Sequence, residues 1–105
     1  MIEGLDPVIH APKRLAAMAV LANASTASFR FLKDYLEIAD SDLSKHMSAL
    51  EAAGYVSTSK DGRGRGATTT YKLTRAGRKA YTAHRDALRA LLDGPPPAAS
   101  DPAGA

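Results

Sequence analysis

Apolar residues recur along the chain in two rhythms, and each predicts its own kind of element. Leu15, Met18, Ala19 and Ala22 follow at helical spacing behind Pro12, whose missing N–H costs nothing in a first turn; a helix is expected from about Pro12 to Asn23. Residues 23–28 are small and polar, with room for at most a short strand, before Phe29, Leu32 and Leu36 resume the helical step over 29–36. After a break at Glu37-Ile38-Ala39, Asp40 is placed to cap a third helix whose apolar positions are Leu43, Met47 and Leu50, and Gly54 suits its left-handed end. Tyr55–Lys60 and Thr68–Leu73 are rich in β-branched and aromatic residues and flank the turn-forming stretch Asp61-Gly62-Arg63-Gly64-Arg65-Gly66, which predicts a β-hairpin with a basic tip. Thr74 can then cap a long last helix in which Ala76, Ala80, Ala83, Ala87 and Leu91 recur at alternating steps of four and three.

These elements fill one compact unit, as a length of 105 residues allows. The expected division is an N-terminal arm at 1–11, a folded domain at 12–92 and a disordered Pro/Ala-rich tail at 93–105, where four of the six prolines fall and large apolar residues are missing. The formal charge of +3 is mild, but its distribution is not. Between Lys45 and Arg85 stand nine basic residues against two acidic, about +7, while each flank carries about −2; a polyanion-binding face is expected in this stretch. The absence of cysteine excludes a disulfide framework, a thiolate zinc site and a catalytic thiol. The longest apolar run, Leu15–Ala22, is far shorter than the roughly 20 residues of a membrane helix, and Met1-Ile2-Glu3 lacks a basic leader region. A cytoplasmic protein, nucleoid-associated when bound to DNA, is the expectation.

Helix, connector, helix, tight turn, helix, hairpin and final helix is the element order of a winged helix-turn-helix: an α+β fold, mainly α, with a two-stranded wing, a possible short third strand and a long C-terminal helix. The stretch Leu43-Ser44-Lys45-His46-Met47-Ser48-Ala49-Leu50-Glu51-Ala52-Ala53-Gly54-Tyr55-Val56 resembles the recognition-helix segment of MarR- and ArsR-like bacterial regulators. Tyr71-Lys72-Leu73-Thr74-Arg75-Ala76-Gly77-Arg78 is similar to the segment that follows the wing in that group, and Leu5-Asp6-Pro7-Val8-Ile9-His10 resembles the start of its shortest single-domain type. The resemblance spans roughly residues 5–92 and implies a double-stranded DNA-binding transcriptional regulator, expected to be a repressor, with the third helix in the major groove.

The third helix supports this independently of the resemblance. At 100° per residue Leu43, Met47 and Leu50 share one side, while Ser41, Lys45 and Ser48 fall opposite with Ala52. That outer face is either a solvated helix surface or one that enters a major groove, with Lys45 on a guanine edge or phosphate and the serines donating to phosphates or bases. Ser44 resembles the group's phosphate-contacting serine, though its hydroxyl can also bond within the helix. Asp42 departs from the uncharged residue the resemblance leads one to expect; it either complements the helix dipole or accepts from a cytosine amine. His46, at the edge of the apolar stripe, reads as a packed, hydrogen-bonded histidine. Arg63 and Arg65 at the hairpin tip, with Lys60 on the first hairpin strand, suit phosphate or minor-groove contact, although Ala67-Thr68 stand where many relatives carry Pro and a further basic residue. Arg30 and Lys33 on the second helix either clamp backbone phosphates or form its solvated face.

A domain of about 80 ordered residues has a thin core, and the Ala/Leu seam of the last helix is wider than one domain needs. Ala80, Ala83, Ala87, Leu88 and Leu91, with Tyr81 and Leu92 on the flanks, are therefore expected to pair in a homodimer with the first helix or with their own mate across a two-fold axis. A pseudopalindromic operator follows from that arrangement. A small-molecule effector is expected in such a regulator but is not legible. No cofactor is expected: phosphate-loop and His-Glu-x-x-His spacings are missing, and His10 and His84, were they to meet in a dimer, would offer a metal two imidazoles without a carboxylate. No catalytic constellation supports an enzyme. The competing class is a winged-helix module that recruits protein rather than DNA.

Overall fold

In the computed structural model, residues 4–62 and 67–94 are described. The elements run α1 (Pro12–Ala22), β1 (Ala27–Ser28), α2 (Phe29–Leu36), α3 (Asp40–Ala52), β2 (Val56–Asp61), β3 (Thr68–Leu73) and α4 (Arg75–Asp93). Four helices thus surround a three-stranded antiparallel sheet of order β1-β3-β2, the winged helix fold expected from the apolar spacing. The short third strand exists as Ala27 and Ser28 opposite Tyr71 and Thr70.

One core unites the elements. Ile9, Met18, Leu21, Leu32, Leu43, Met47 and Leu50 are each at most 1% exposed, so the inward stripes of α1, α2 and α3 meet side chain to side chain. Val56, Tyr71 and Leu73 close this core from the sheet. The segment ahead of α1 belongs to it as well: Ile9 is fully buried, and Asp6 accepts the amides that turn residues 6–10 back toward the domain.

Local chemistry sets most boundaries. Ser28 caps α2 by accepting from the Phe31 amide at 3.0 Å, and Thr74 caps α4 by accepting from the Gly77 amide at 2.9 Å. The end of α3 is a Schellman turn, with Gly54 at φ +81° and the Gly54 and Tyr55 amides donating to the carbonyls of Glu51 and Leu50. The start of α3 corrects the expectation from sequence. Ala39 is the N-cap and has no side-chain cap; Asp40 is the first helical residue, with its carboxylate turned to Lys33 of α2 at 3.1 Å. Asp40 and Asp42 therefore serve the helix start as charges in its first turn. The tight turn between α2 and α3 relies on Glu37 in the left-handed region, φ 55°, which costs a non-glycine residue about 1–2 kcal/mol.

Helix α4 turns only part of the alanine stripe read in the sequence toward its own domain. Gly77 and His84 are its fully inward residues, Ala80, Tyr81, Ala87 and Leu88 flank them, and Ala76 and Ala83 are exposed. The cause is Gly77. Its α-carbon lies so close to the Tyr55 carbonyl that a side chain there would overlap it, and this contact fixes which stripe of α4 faces the domain. The same approach lets the Thr74 amide donate to the Tyr55 carbonyl at 3.0 Å and the Thr74 hydroxyl donate to the Gly54 carbonyl at 2.6 Å.

Candidate nucleic-acid interface

Packing of Leu43, Met47 and Leu50 into the core leaves the opposite side of α3 to solvent, where Ser41, Ser44, Lys45 and Ser48 are all exposed. The alternation of β2 decides what stands beside them. Val56 is buried, and two residues on, Thr58 opposite Tyr71 and then Lys60 opposite Thr69 share its face of the sheet. Consequently Ser44, Ser48 and Glu51 of α3 and Thr58, Lys60 and Thr69 of the wing line one groove of about 230 Å³, with Phe29, Met47 and Tyr71 at its sides. The Thr58 hydroxyl is buried there without a hydrogen-bond partner. Burial, and secondarily the Glu51 carboxylate, raise Tyr71 above its ordinary value, so its phenol stays protonated.

The structure thus brings together Ser44, Ser48 and Lys60 and leaves Ser41 and Lys45 on the adjoining outer face. Arg30 is exposed on α2. Lys33 is committed to Asp40, a bridge that ties the two helices of the turn. Arg63 and Arg65, read as the cationic wing tip, lie outside the described residues.

Asp42 faces α1 rather than the outer surface. Its carboxylate accepts from Lys13 Nζ at 2.6 Å and lies 3.3 Å from His46 Nε2, and the Lys13 hydrogen bond is the chief reason it is held below the ordinary carboxylate range. His46 is half-buried, with Nδ1 3.4 Å from the Arg14 guanidinium, which in turn donates through Nε to the Val8 carbonyl at 2.6 Å. The packed, hydrogen-bonded histidine expected at position 46 is what the fold contains. Lys13 and Arg14 were not singled out in the sequence, because their partners stand about thirty residues away and no spacing rule joins them.

A second surface lies between α1 and α4. Pro12, Leu15, Ala16 and Ala19 of α1 and Tyr81, Arg85 and Leu88 of α4 line an apolar groove of about 450 Å³. Among the residues expected to pair copies of the chain, Leu88 lines this groove, Ala80 packs on the core, Ala87 meets the segment at Gly4, Leu91 is half-buried and Ala83 is exposed. His10 and His84, expected to meet across a dimer if at all, meet within one chain at 3.2 Å. Among the described residues, no group of three His, Asp or Glu side chains is placed to hold a metal.

Comparison with known proteins settles what this architecture is. A family model described as the winged helix DNA-binding domain matches residues 13–92. The chain belongs to that family. The winged helix domain also shares 30% identity over 74 residues with an uncharacterised protein of Methanocaldococcus jannaschii, covering 70% of this chain and 80% of that one. Among solved structures it is similar to a transcriptional regulator homologue from Pyrococcus horikoshii, with a TM-score of 0.76, 27% identity and coverage of 82% and 85% of the two chains. A MarR-family regulator from Silicibacter pomeroyi shares the fold at TM-score 0.66 and 24% identity, with 82% of this winged helix chain covering 57% of that protein. The matched family is a DNA-binding domain, and the neighbour at 27% identity is a transcriptional regulator homologue. Among the described residues no helix is long and apolar enough to cross a membrane.

Proposed function

We propose that this winged helix protein is a sequence-specific double-stranded DNA-binding regulator, acting as a dimeric repressor in the cytoplasm. The carrying observation is the exposed polar face of α3, with Ser44 and Ser48 sharing a groove with Lys60 of the wing. A helix presenting Ser41, Lys45 and Ser48 fits a major groove of about 12 Å, where Lys45 reaches a guanine edge and the serines donate to phosphate or base. Ser44 and Lys60 follow the backbone beside it, Arg30 extends that contact on α2, and Arg63 and Arg65 reach the next phosphates or the minor groove. Lys33 contributes by holding α3 against α2, whereas Asp42, turned to Lys13 of α1 in a partly exposed pair, adds little to the DNA-facing side.

Pairing through the groove between α1 and α4, with Leu88, Leu91 and exposed Leu92, presents two recognition helices to half-sites about one helical turn apart. The apolar lining of that groove also suits a small-molecule effector able to bias the pairing.

Fluorescence anisotropy of a labelled duplex from the gene's own upstream region, against a scrambled duplex at two salt concentrations, tests this reading. Preferential binding that survives the higher salt is expected, and neutralising Arg63 and Arg65 together should lower the salt slope by about two. Absence of binding to either duplex would favour a protein-recruiting module, for which the stacked, exposed Phe31 and Tyr35 on α2 offer a surface.

A further inference from the structure

Asp6, His10, Tyr55 and His84 form a hydrogen-bonded chain that the DNA-binding surface does not use. His84 is fully buried; its Nδ1 lies 2.9 Å from the Asp6 amide nitrogen and its Nε2 lies 3.2 Å from His10 Nδ1. A backbone N–H can only donate, so His84 Nδ1 is the acceptor and carries no proton. The one proton of the neutral His84 ring therefore sits on Nε2 and is donated to His10 Nδ1, which leaves the His10 proton on its own Nε2. No change of tautomers reverses this order, because its first donor is an amide. A second proton on His84 has to enter at Nδ1, against the Asp6 N–H. A second proton on His10 has to enter at Nδ1, against the His84 N–H. Either addition sets two donors face to face.

The chain continues to the recognition helix. Asp6 accepts from the Tyr55 hydroxyl through Oδ2 at 2.5 Å and from the Val8 amide through Oδ1 at 2.9 Å. The Tyr55 amide closes the end of α3 on the Leu50 carbonyl, and the Tyr55 carbonyl accepts the Thr74 amide of the α4 cap. Residues 6–10 thus join α4 to the C-terminal end of α3.

We propose that the His10–His84 pair is a proton-operated latch on DNA binding. With both rings neutral the N-terminal segment is held on α4 and, through Asp6, on Tyr55; a proton taken up by either ring breaks the relay, releases the segment and loosens the end of α3. The effect on DNA rests on the function proposed above, whereas the latch itself does not.

The surrounding groups leave a net effect of one sign. Burial, then the facing His10 ring, lower the His84 value, and the Asp6 carboxylate only partly offsets them. From α1 the cationic Arg14 holds the Val8 carbonyl, and from the α3–β2 junction Tyr55 stays protonated because its hydroxyl donates to Asp6. On α4 the flanking Ala80, Ala87 and Leu88 carry no charge, and Arg85, next along the helix, is turned to Asp86 in an exposed ion pair. Above the ordinary histidine value the latched and released forms are both neutral and the latch holds. As pH falls below it, the released form takes the proton first, so latching weakens by up to about tenfold per pH unit until the depressed value is passed.

Nitrogen-detected imidazole NMR of the full chain at pH 7.5 should show bare Nδ1 and protonated Nε2 on both His10 and His84. Amide hydrogen exchange should find residues 6–10 protected at pH 7.5 and exchanging with the solvent-exposed class at pH 5.5, after correction for intrinsic rates. At fixed ionic strength, affinity for the upstream duplex should fall roughly three- to tenfold over the same range. His84→Gln, which keeps one donor and one acceptor without titrating, should reduce that fall, and the pair His10→Gln with His84→Gln should flatten it; if the buried variant does not fold, His10→Gln alone at the exposed partner should still reduce the fall. An Nδ1–H on either ring, protection that ignores pH, or the full titration retained in the folded variants would overturn the latch. Failure to bind the duplex at pH 7.5 would reject the DNA reading instead, with the NMR and exchange data still deciding the latch.

Discussion

Replacing Gly77 by alanine sets two opposing effects against each other. In an exposed helix interior the change from glycine to alanine stabilises by about 1 kcal/mol, through reduced backbone entropy in the unfolded chain. At position 77 the new Cβ would lie 1.9 Å from the Tyr55 carbonyl oxygen, 2.8 Å from its carbon and 3.0 Å from its α-carbon. All three are backbone atoms, so no rotamer change relieves the overlap, and α4 has to withdraw by roughly 1–1.5 Å to reach ordinary contact. Withdrawal lengthens the 3.0 Å bond from the Thr74 amide to Tyr55 and the 2.6 Å bond from the Thr74 hydroxyl to Gly54. Two hydrogen bonds at about 0.5–1.5 kcal/mol each, with loosened packing around His84 and Leu73, exceed the propensity gain and leave a net loss of about 2–4 kcal/mol. Urea denaturation followed by circular dichroism measures it, with Ala76→Gly on the exposed neighbouring position as the control that loses about 1 kcal/mol from propensity alone. If Gly77→Ala proved as stable as the parent, the close approach of α4 to Tyr55 would not govern this junction and the reasoning would fail.

Three further outcomes follow from the same structure. Glu37→Gly should stabilise by about 0.5–1 kcal/mol in urea, because the left-handed backbone at φ 55° suits glycine; a loss would mean that the Glu37 side chain makes a contact stronger than this strain. Asp42→Asn should leave stability nearly unchanged, since Lys13 and Asp42 are both partly exposed, yet tighten duplex binding a few-fold by freeing a cation and removing an anion near the phosphates; weaker binding in the anisotropy assay would return Asp42 to direct base contact. Leu92→Glu, at a side chain 75% exposed, should weaken self-association roughly tenfold or more in sedimentation equilibrium while leaving the circular dichroism spectrum intact, and an unchanged dissociation constant would move the pairing surface away from the end of α4.

Local chemistry alone determined much of this protein. The helical step of Leu43, Met47 and Leu50 fixed both the buried stripe of α3 and, by exclusion, its polar outer face, because a period of 3.6 leaves no other assignment of sides. Gly54 and Thr74 announced the end of α3 and the start of α4, since a left-handed turn and an unpaired helix amide each demand a particular residue type within a few positions. What depended on distant chain segments was invisible by such rules. Which stripe of α4 faces its own domain follows from Gly77 meeting the Tyr55 carbonyl, whereas the period alone grouped Ala76 and Ala83 with Ala80 and Ala87 and did not say which of them a single chain leaves exposed. Asp42 found Lys13, Arg14 found His46 and Asp6 found both Tyr55 and His84 across separations of 29 to 78 residues. Spacing along a chain records only neighbours within a turn or a strand pair. Which polar groups must satisfy one another once water is excluded is decided when the elements pack, and there the His10–His84 relay and the groove between α3 and the wing arise.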